Sequence, residues 1–113
     1  MTITEKLHGR VTVLSLKGNL LGEPETTELR QIVGRLTKRD DKQVVLDLGG
    51  LKAINSSGLG ELISALTSLR KRSGDLYLAR LPDKMHALLM ITHLIRVFKV
   101  YETVERAVTA FER

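Results

Sequence analysis

The chain has 113 residues, with 18 Lys and Arg against 13 Asp and Glu, a formal charge of +5, and neither Cys nor Trp. That length suits one compact domain, so a single domain over 1–113 is expected. Hydrophobic residues at 42% and charged residues at 27% argue against a disordered or fibrous chain, and the lack of Cys excludes disulfides, thiol nucleophiles and thiolate metal sites.

The opening segment MTITEKLHGR carries no apolar run of the length a secretory signal needs. No other stretch approaches the roughly 20 apolar residues of a spanning helix, so a cytoplasmic protein without stable membrane insertion is expected. Basic residues are spread along the chain, and Arg70, Lys71 and Arg72 form the one tight run. With Tyr77, Phe98, Tyr101 and Phe111 as the only aromatic side chains, direct nucleic-acid binding is not expected.

In chain order, Ile3 and Leu7 lie in an alternating stretch, His8-Gly9-Arg10 reads as a turn, and Val11, Val13, Leu14 and Leu16 resume an extended pattern to Gly18. This predicts a hairpin. Gly22-Glu23-Pro24 punctuates the chain, and Leu29, Ile32, Val33 and Leu36 then recur at helical spacing between about Glu25 and Arg39. Gln43 to Leu48 reads as a short strand, apolar on both faces, followed by a loop at Gly49-Gly50 and an apolar pair at Ala53-Ile54. Leu59, Leu62, Ile63, Leu66 and Leu69 mark a second helix that stops near Gly74. Asp75–Ala79 reads as a strand, a third helix runs from about Pro82 to Thr92, another strand covers Val97–Val100, and a last helix spans about Thr103 to Phe111. The order ββαβαβαβα predicts an α/β fold with a mixed sheet of about five strands, opened by a hairpin and packed against about four helices.

The segment from Val44 to Gly60, VVLDLGGLKAINSSGLG, is the most informative. It sets Ser56 and Ser57 at the start of the second helix. A serine there serves as a cap, its oxygen accepting a free backbone N–H. Glu61 follows Ser57 by four residues and Ser56 by five, so the three-residue capping-box spacing is not met. The same free N–H groups and positive dipole end also favour an anion, including a phosphate carried on a serine. Capping and phosphorylation both fit these residues.

The apolar strand, the Asp-Leu pair, the short loop and the run NSSGLG opening a helix resemble the signature of the STAS domain, and length and element order resemble its single-domain bacterial members, the anti-sigma factor antagonists. The resemblance covers the whole chain, with its specific part in about Leu46 to Leu66. It implies that Ser56, with Ser57 as second choice, is phosphorylated by a cognate anti-sigma factor that is also a serine kinase, and that a serine phosphatase reverses the step. It implies a docking surface formed by Asn19, Leu20, Leu21 and Gly22 together with Asn55, Ser56, Ser57, Gly58, Leu59 and Gly60. The unphosphorylated domain would hold the anti-sigma factor and so free a sigma factor. Asn55 stands where the family usually carries Asp, and Gly18-Asn19-Leu20-Leu21 stands where it tends to carry Gly-Glu-Leu-Asp. Two other readings share the fold: a constitutive STAS subunit of a lipid-trafficking transporter or signalling scaffold, and a nucleotide- or lipid-binding STAS module.

Other chemistries find little support. No G-x-S-x-G elbow, G-x-x-x-x-G-K-[ST] loop or G-x-G-x-x-G run is present. His8, His86 and His93 are widely spaced, although His86 and His93 could share one helix face. Asp40, Asp41, Asp47 and Asp83 include no catalytic pair, and Asp47 is placed to accept loop N–H groups near Ser56. No enzyme activity, cofactor or metal is expected.

Overall fold

The structure, a computed structural model, describes residues 1–112. β1 (Thr2–His8) and β2 (Val11–Leu20) form the expected antiparallel hairpin, with His8 paired to Val11. α1 (Glu25–Lys38) starts directly after Pro24, with Glu25 and Glu28 in its first turn and Arg35 and Lys38 in its last. Those charges match the dipole at each end. β3 (Gln43–Ile54), α2 (Ser56–Arg70), β4 (Asp75–Ala79), α3 (Asp83–Ile91), β5 (Lys99–Tyr101) and α4 (Val104–Glu112) follow, with a 3-10 turn at Leu94–Arg96.

The five strands lie in the order β1-β2-β3-β4-β5, and β2 to β5 run parallel. Alternation along β3 explains why both faces of the sheet are covered. Val44, Leu46 and Leu48 point into a core shared with Leu29, Val33 and Leu36 of α1, Leu62, Leu66 and Leu69 of α2, and Met85 and Leu89 of α3. Val45 points the other way, into a smaller cluster with Val11, Val13, Tyr77 and the α4 residues Ala107 and Val108. Phe111 stacks on Tyr77 at 3.8 Å between ring centroids and closes that side. Each fully buried leucine of the larger core contributes on the order of 1.5–3 kcal/mol of transfer free energy.

The structure differs from the sequence reading in four places. β3 does not end at Leu48 but runs through Gly49-Gly50 to Ile54, because β2 also continues to Leu20 and gives it ladder partners, Asn19 to Ala53 and Leu20 to Ile54. Register shifts between Ser15 and Lys17 and between Gly18 and Asn19 absorb the extra β3 residues as bulges. At the end of α2 the left-handed residue is Ser73 (φ 63°), not Gly74. Gly74 is needed for a different reason, since a Cβ there would collide with the Lys42 carbonyl, which accepts the Asp75 N–H at 3.0 Å. α3 stops at Ile91, and His93 has a φ of 61°, so His86 and His93 do not share a helix face. Phe98 is buried ahead of the last strand instead of within it, which starts at Lys99.

α1 is also tied to the edge strand by charge. Glu5 accepts from Arg35 at 2.6 Å and from Arg39 at 3.4 Å, and its carboxyl is held below its ordinary value of 4.5, chiefly by the Arg35 hydrogen bond. A lowered folded value means that the stabilisation is complete above pH 4.5 and is lost as pH falls through the folded value. Glu5→Gln is expected to lower stability at pH 7 by about 0.5–1 kcal/mol, because the pair is solvent-exposed, and by less at pH 3, below the ordinary value of the carboxyl. Urea unfolding at the two pH values measures both effects.

Candidate partner-docking site

The loops after β2 and β3 meet at the same end of the sheet, where Leu20 and Ile54 are paired. One residue, Asn55, separates Ile54 from the start of α2. Its cap is Asn55, in extended conformation, whose side-chain Oδ1 accepts the Gly58 N–H at 3.1 Å. The same carboxamide donates from Nδ2 to the Leu21 carbonyl at 2.7 Å. One side chain therefore caps the helix and fastens the β2–α1 loop to it. A carboxylate at this position could cap but could not donate, and would set a negative charge against the Leu21 carbonyl. This gives a physical reason for Asn at position 55.

Because Asn55 caps, the serines do not. Ser56 and Ser57 are the first two residues of the helix and both are exposed. The first turn holds no acidic residue, so its positive end is not offset there by a carboxylate. Gly58 is buried, and a Cβ on it would collide with the Leu20 carbonyl and come within 2.9 Å of Ile54 Cγ1. Only glycine lets the helix start sit this close to the ends of β2 and β3. Gly60 faces open space and is exposed.

The expected docking surface is thereby narrowed. Leu20 is 0% exposed and Leu59 is 5% exposed; both are core side chains, as is the buried backbone at Gly58. Leu21 by contrast is 46% exposed. Asn19, Leu21, Asn55, Ser56, Ser57 and Gly60 reach the surface, with Gly22 partly covered. Asp47 does not serve the Ser56 loop. Its carboxylate lies at the β3 bulge, accepting from Ser15 Oγ and Arg80 at 3.2 Å each and from the Gly49 N–H at 3.1 Å.

The two serines have different surroundings. Ser57 lines a shallow cleft between the starts of α1 and α2, together with Glu23, Arg30 and Glu61. Glu61 is buried and accepts from Arg30 Nη2 at 2.7 Å and Nε at 3.2 Å, and this bond, with the charge behind it, holds the Arg30 guanidinium above its ordinary value. Glu23, which accepts from the Thr27 hydroxyl, reaches Arg30 at 4.0 Å. Ser56 does not line this cleft. Sequence reading misses Arg30 and Glu61 as a pair because they lie 31 positions apart, on different helices. Among the described residues no group of three or more His, Cys, Asp or Glu is placed to hold a metal ion, and no helix is long and apolar enough to cross a membrane.

This fold and this helix start define the class: the chain belongs to the STAS domain family, whose pattern it matches over residues 2–107. Among its relatives, the anti-sigma F factor antagonist of Paenibacillus polymyxa is 24% identical over 105 residues, covering 93% of this chain and 90% of that protein. The crystal structure of an anti-sigma factor antagonist from Mycobacterium paratuberculosis superposes with a TM-score of 0.84 at 25% identity, over 99% of this chain and 94% of that one. The Bacillus cell fate determinant SpoIIAA in its phosphorylated form shares the fold, with a TM-score of 0.78 at 17% identity over 97% and 99% of the two chains.

Asn55→Ala removes both bonds of the carboxamide and is expected to cost about 1–2 kcal/mol in unfolding free energy. Asn55→Asp should recover most of that loss but leave the Leu21 loop unfastened. Hydrogen exchange separates the two effects: in Asn55→Asp the Gly58 amide stays protected while the backbone amides of residues 21–23 exchange faster than in the wild type.

Proposed function

We propose that this protein is an anti-sigma factor antagonist that works by partner switching, without catalytic activity of its own. The observation that carries this reading is the exposed Ser56 hydroxyl at the uncompensated positive end of α2, fixed by the Asn55 cap beside the exposed Leu21. Relatives that bear the name anti-sigma factor antagonist, and a protein of the same fold solved in a phosphorylated form, support it.

In this mechanism the unphosphorylated surface around Asn19, Leu21, Asn55, Ser56, Ser57 and Gly60 holds a cytoplasmic anti-sigma factor, which frees the sigma factor it would otherwise occupy. The anti-sigma factor is also the kinase. It transfers the terminal phosphoryl group of ATP to Ser56 Oγ, the hydroxyl proton leaving to a base on the kinase and ADP departing. The product carries about −1.5 to −2 charges at neutral pH. On this exposed helix start the dipole favours the phosphate, so the domain stays folded while the docked face becomes strongly anionic. A loss of about 100-fold in affinity, ~2.7 kcal/mol, is enough to release the partner at comparable concentrations. A serine phosphatase then restores the binding form. Ser56 is preferred over Ser57 because the family resemblance makes the first serine of the run the acceptor.

Purified wild-type, Ser56→Ala and Ser56→Asp proteins serve as baits in a lysate of the source organism. The Ala bait should retain an ATP-binding anti-sigma factor, and the Asp bait should lose it by about 100-fold. On incubation of the wild type with that partner and Mg-ATP, mass spectrometry should find one phosphate, on Ser56. Equal retention of the same protein by all three baits, or phosphate on Ser57 alone, would contradict the reading.

A further inference from the structure

A groove of about 270 Å³ runs between the end of β3 and α3. Leu51 and Met85 are buried at its base, and Ala53, Ile54 and Leu88 are open along it to different degrees. Its only charged lining residues are Lys52 and Lys84, both exposed, and among the described residues neither forms an ion pair. Asp83, the nearest acidic residue in sequence, does not line it. The groove therefore sets apolar side chains beside two unpaired cations, which suits an occupant that is apolar and anionic.

The groove also adjoins the docking site. Ile54 lines it and directly precedes Asn55, and Ala53 pairs with Asn19 across the β2–β3 ladder. Its volume falls just below the range of about 300–1,000 Å³ usual for small-molecule sites. An open groove of that size suits one protruding side chain of a protein better than an enclosed ligand.

We propose that this groove is the second half of the partner interface and takes a large apolar side chain, flanked by carboxylates, from the same anti-sigma factor that docks at Ser56. The proposal rests on the function proposed above. It assigns the two halves different work: the Ser56 half carries the switch, and the Lys52–Lys84 half supplies electrostatic steering and an apolar anchor that phosphorylation does not touch.

The test is calorimetric titration of the purified partner recovered with the Ser56→Ala bait, using wild-type, Lys84→Glu, Ala53→Gln and Ser56→Asp proteins. Circular dichroism first verifies that each is folded; Lys84 and Ala53 are exposed, so the fold should tolerate both changes. Lys84→Glu should weaken binding by about tenfold and reduce its salt dependence. Ala53→Gln, which fills the groove without adding charge, should weaken it by a similar factor. If Ser56→Asp abolishes binding while Lys84→Glu and Ala53→Gln bind like the wild type, the groove proposal is overturned and the switch stands. If no partner is recovered, or if Ser56→Asp binds normally, the reading on which the groove depends falls with it. Saturable binding of decanoate that leaves partner affinity unchanged would make the groove a site for anionic amphiphiles instead, and would also overturn the proposal.

Discussion

The Asn55 carboxamide accepts the Gly58 N–H and donates to the Leu21 carbonyl, and the geometry at this end of the sheet depends on that pair of bonds. They set where α2 begins, which residues occupy its first turn, and how the β2–α1 loop lies beside it. Gly58 makes the arrangement possible, because the helix backbone must pass against the Leu20 carbonyl with no room for a side chain. Removing the cap from the serines is the functional consequence. A capping hydroxyl would be committed to a backbone N–H, whereas the exposed Ser56 is free to be presented to another protein.

The rest of the fold braces this corner. The buried Glu61, one turn into α2, is held by Arg30 of α1, so the two helices that flank the site are joined by a charged pair as well as by their apolar faces. A buried carboxylate without its partner is costly, so the pair works mainly as a positional constraint. On the opposite face of the sheet, α4 and the Tyr77–Phe111 stack cover the strands. A charge added at Ser56 therefore acts on an exposed rim, while the core that specifies the fold lies beneath it.

Much of this was legible in the residues. The nearly continuous apolar run of β3 announced a strand buried on both faces, and the helical spacing of Leu29, Val33 and Leu36 placed α1 to within a residue. The NSSGLG run located the helix start. What could not be read was which residue caps it: Asn, Ser and Ser are all good caps, and only the three-dimensional position of the Leu21 carbonyl selects Asn55. The burial of Leu20 and Leu59 was hidden for a similar reason, since neighbouring leucines at 20 and 21 look alike until β2 ends with Leu20 in the core and leaves Leu21 exposed in the loop that follows. The Gly49-Gly50 pair reads as a loop by local preference, and the β2 ladder overrides that preference. The Arg30–Glu61 pair is long-range and left no local trace.

In the proposed switch, phosphate on Ser56 releases the partner by charge at the interface, without disturbing the domain. This is tested most directly by preparing the chain stoichiometrically phosphorylated on Ser56 and comparing its amide NMR spectrum and partner affinity with those of the unmodified protein. Chemical-shift changes should be confined to the first turn of α2 and the adjoining residues 19–23, with binding weakened by about 100-fold. Shift changes spread through the sheet core, or a phosphorylated protein that binds its partner as tightly as the unmodified one, would contradict it.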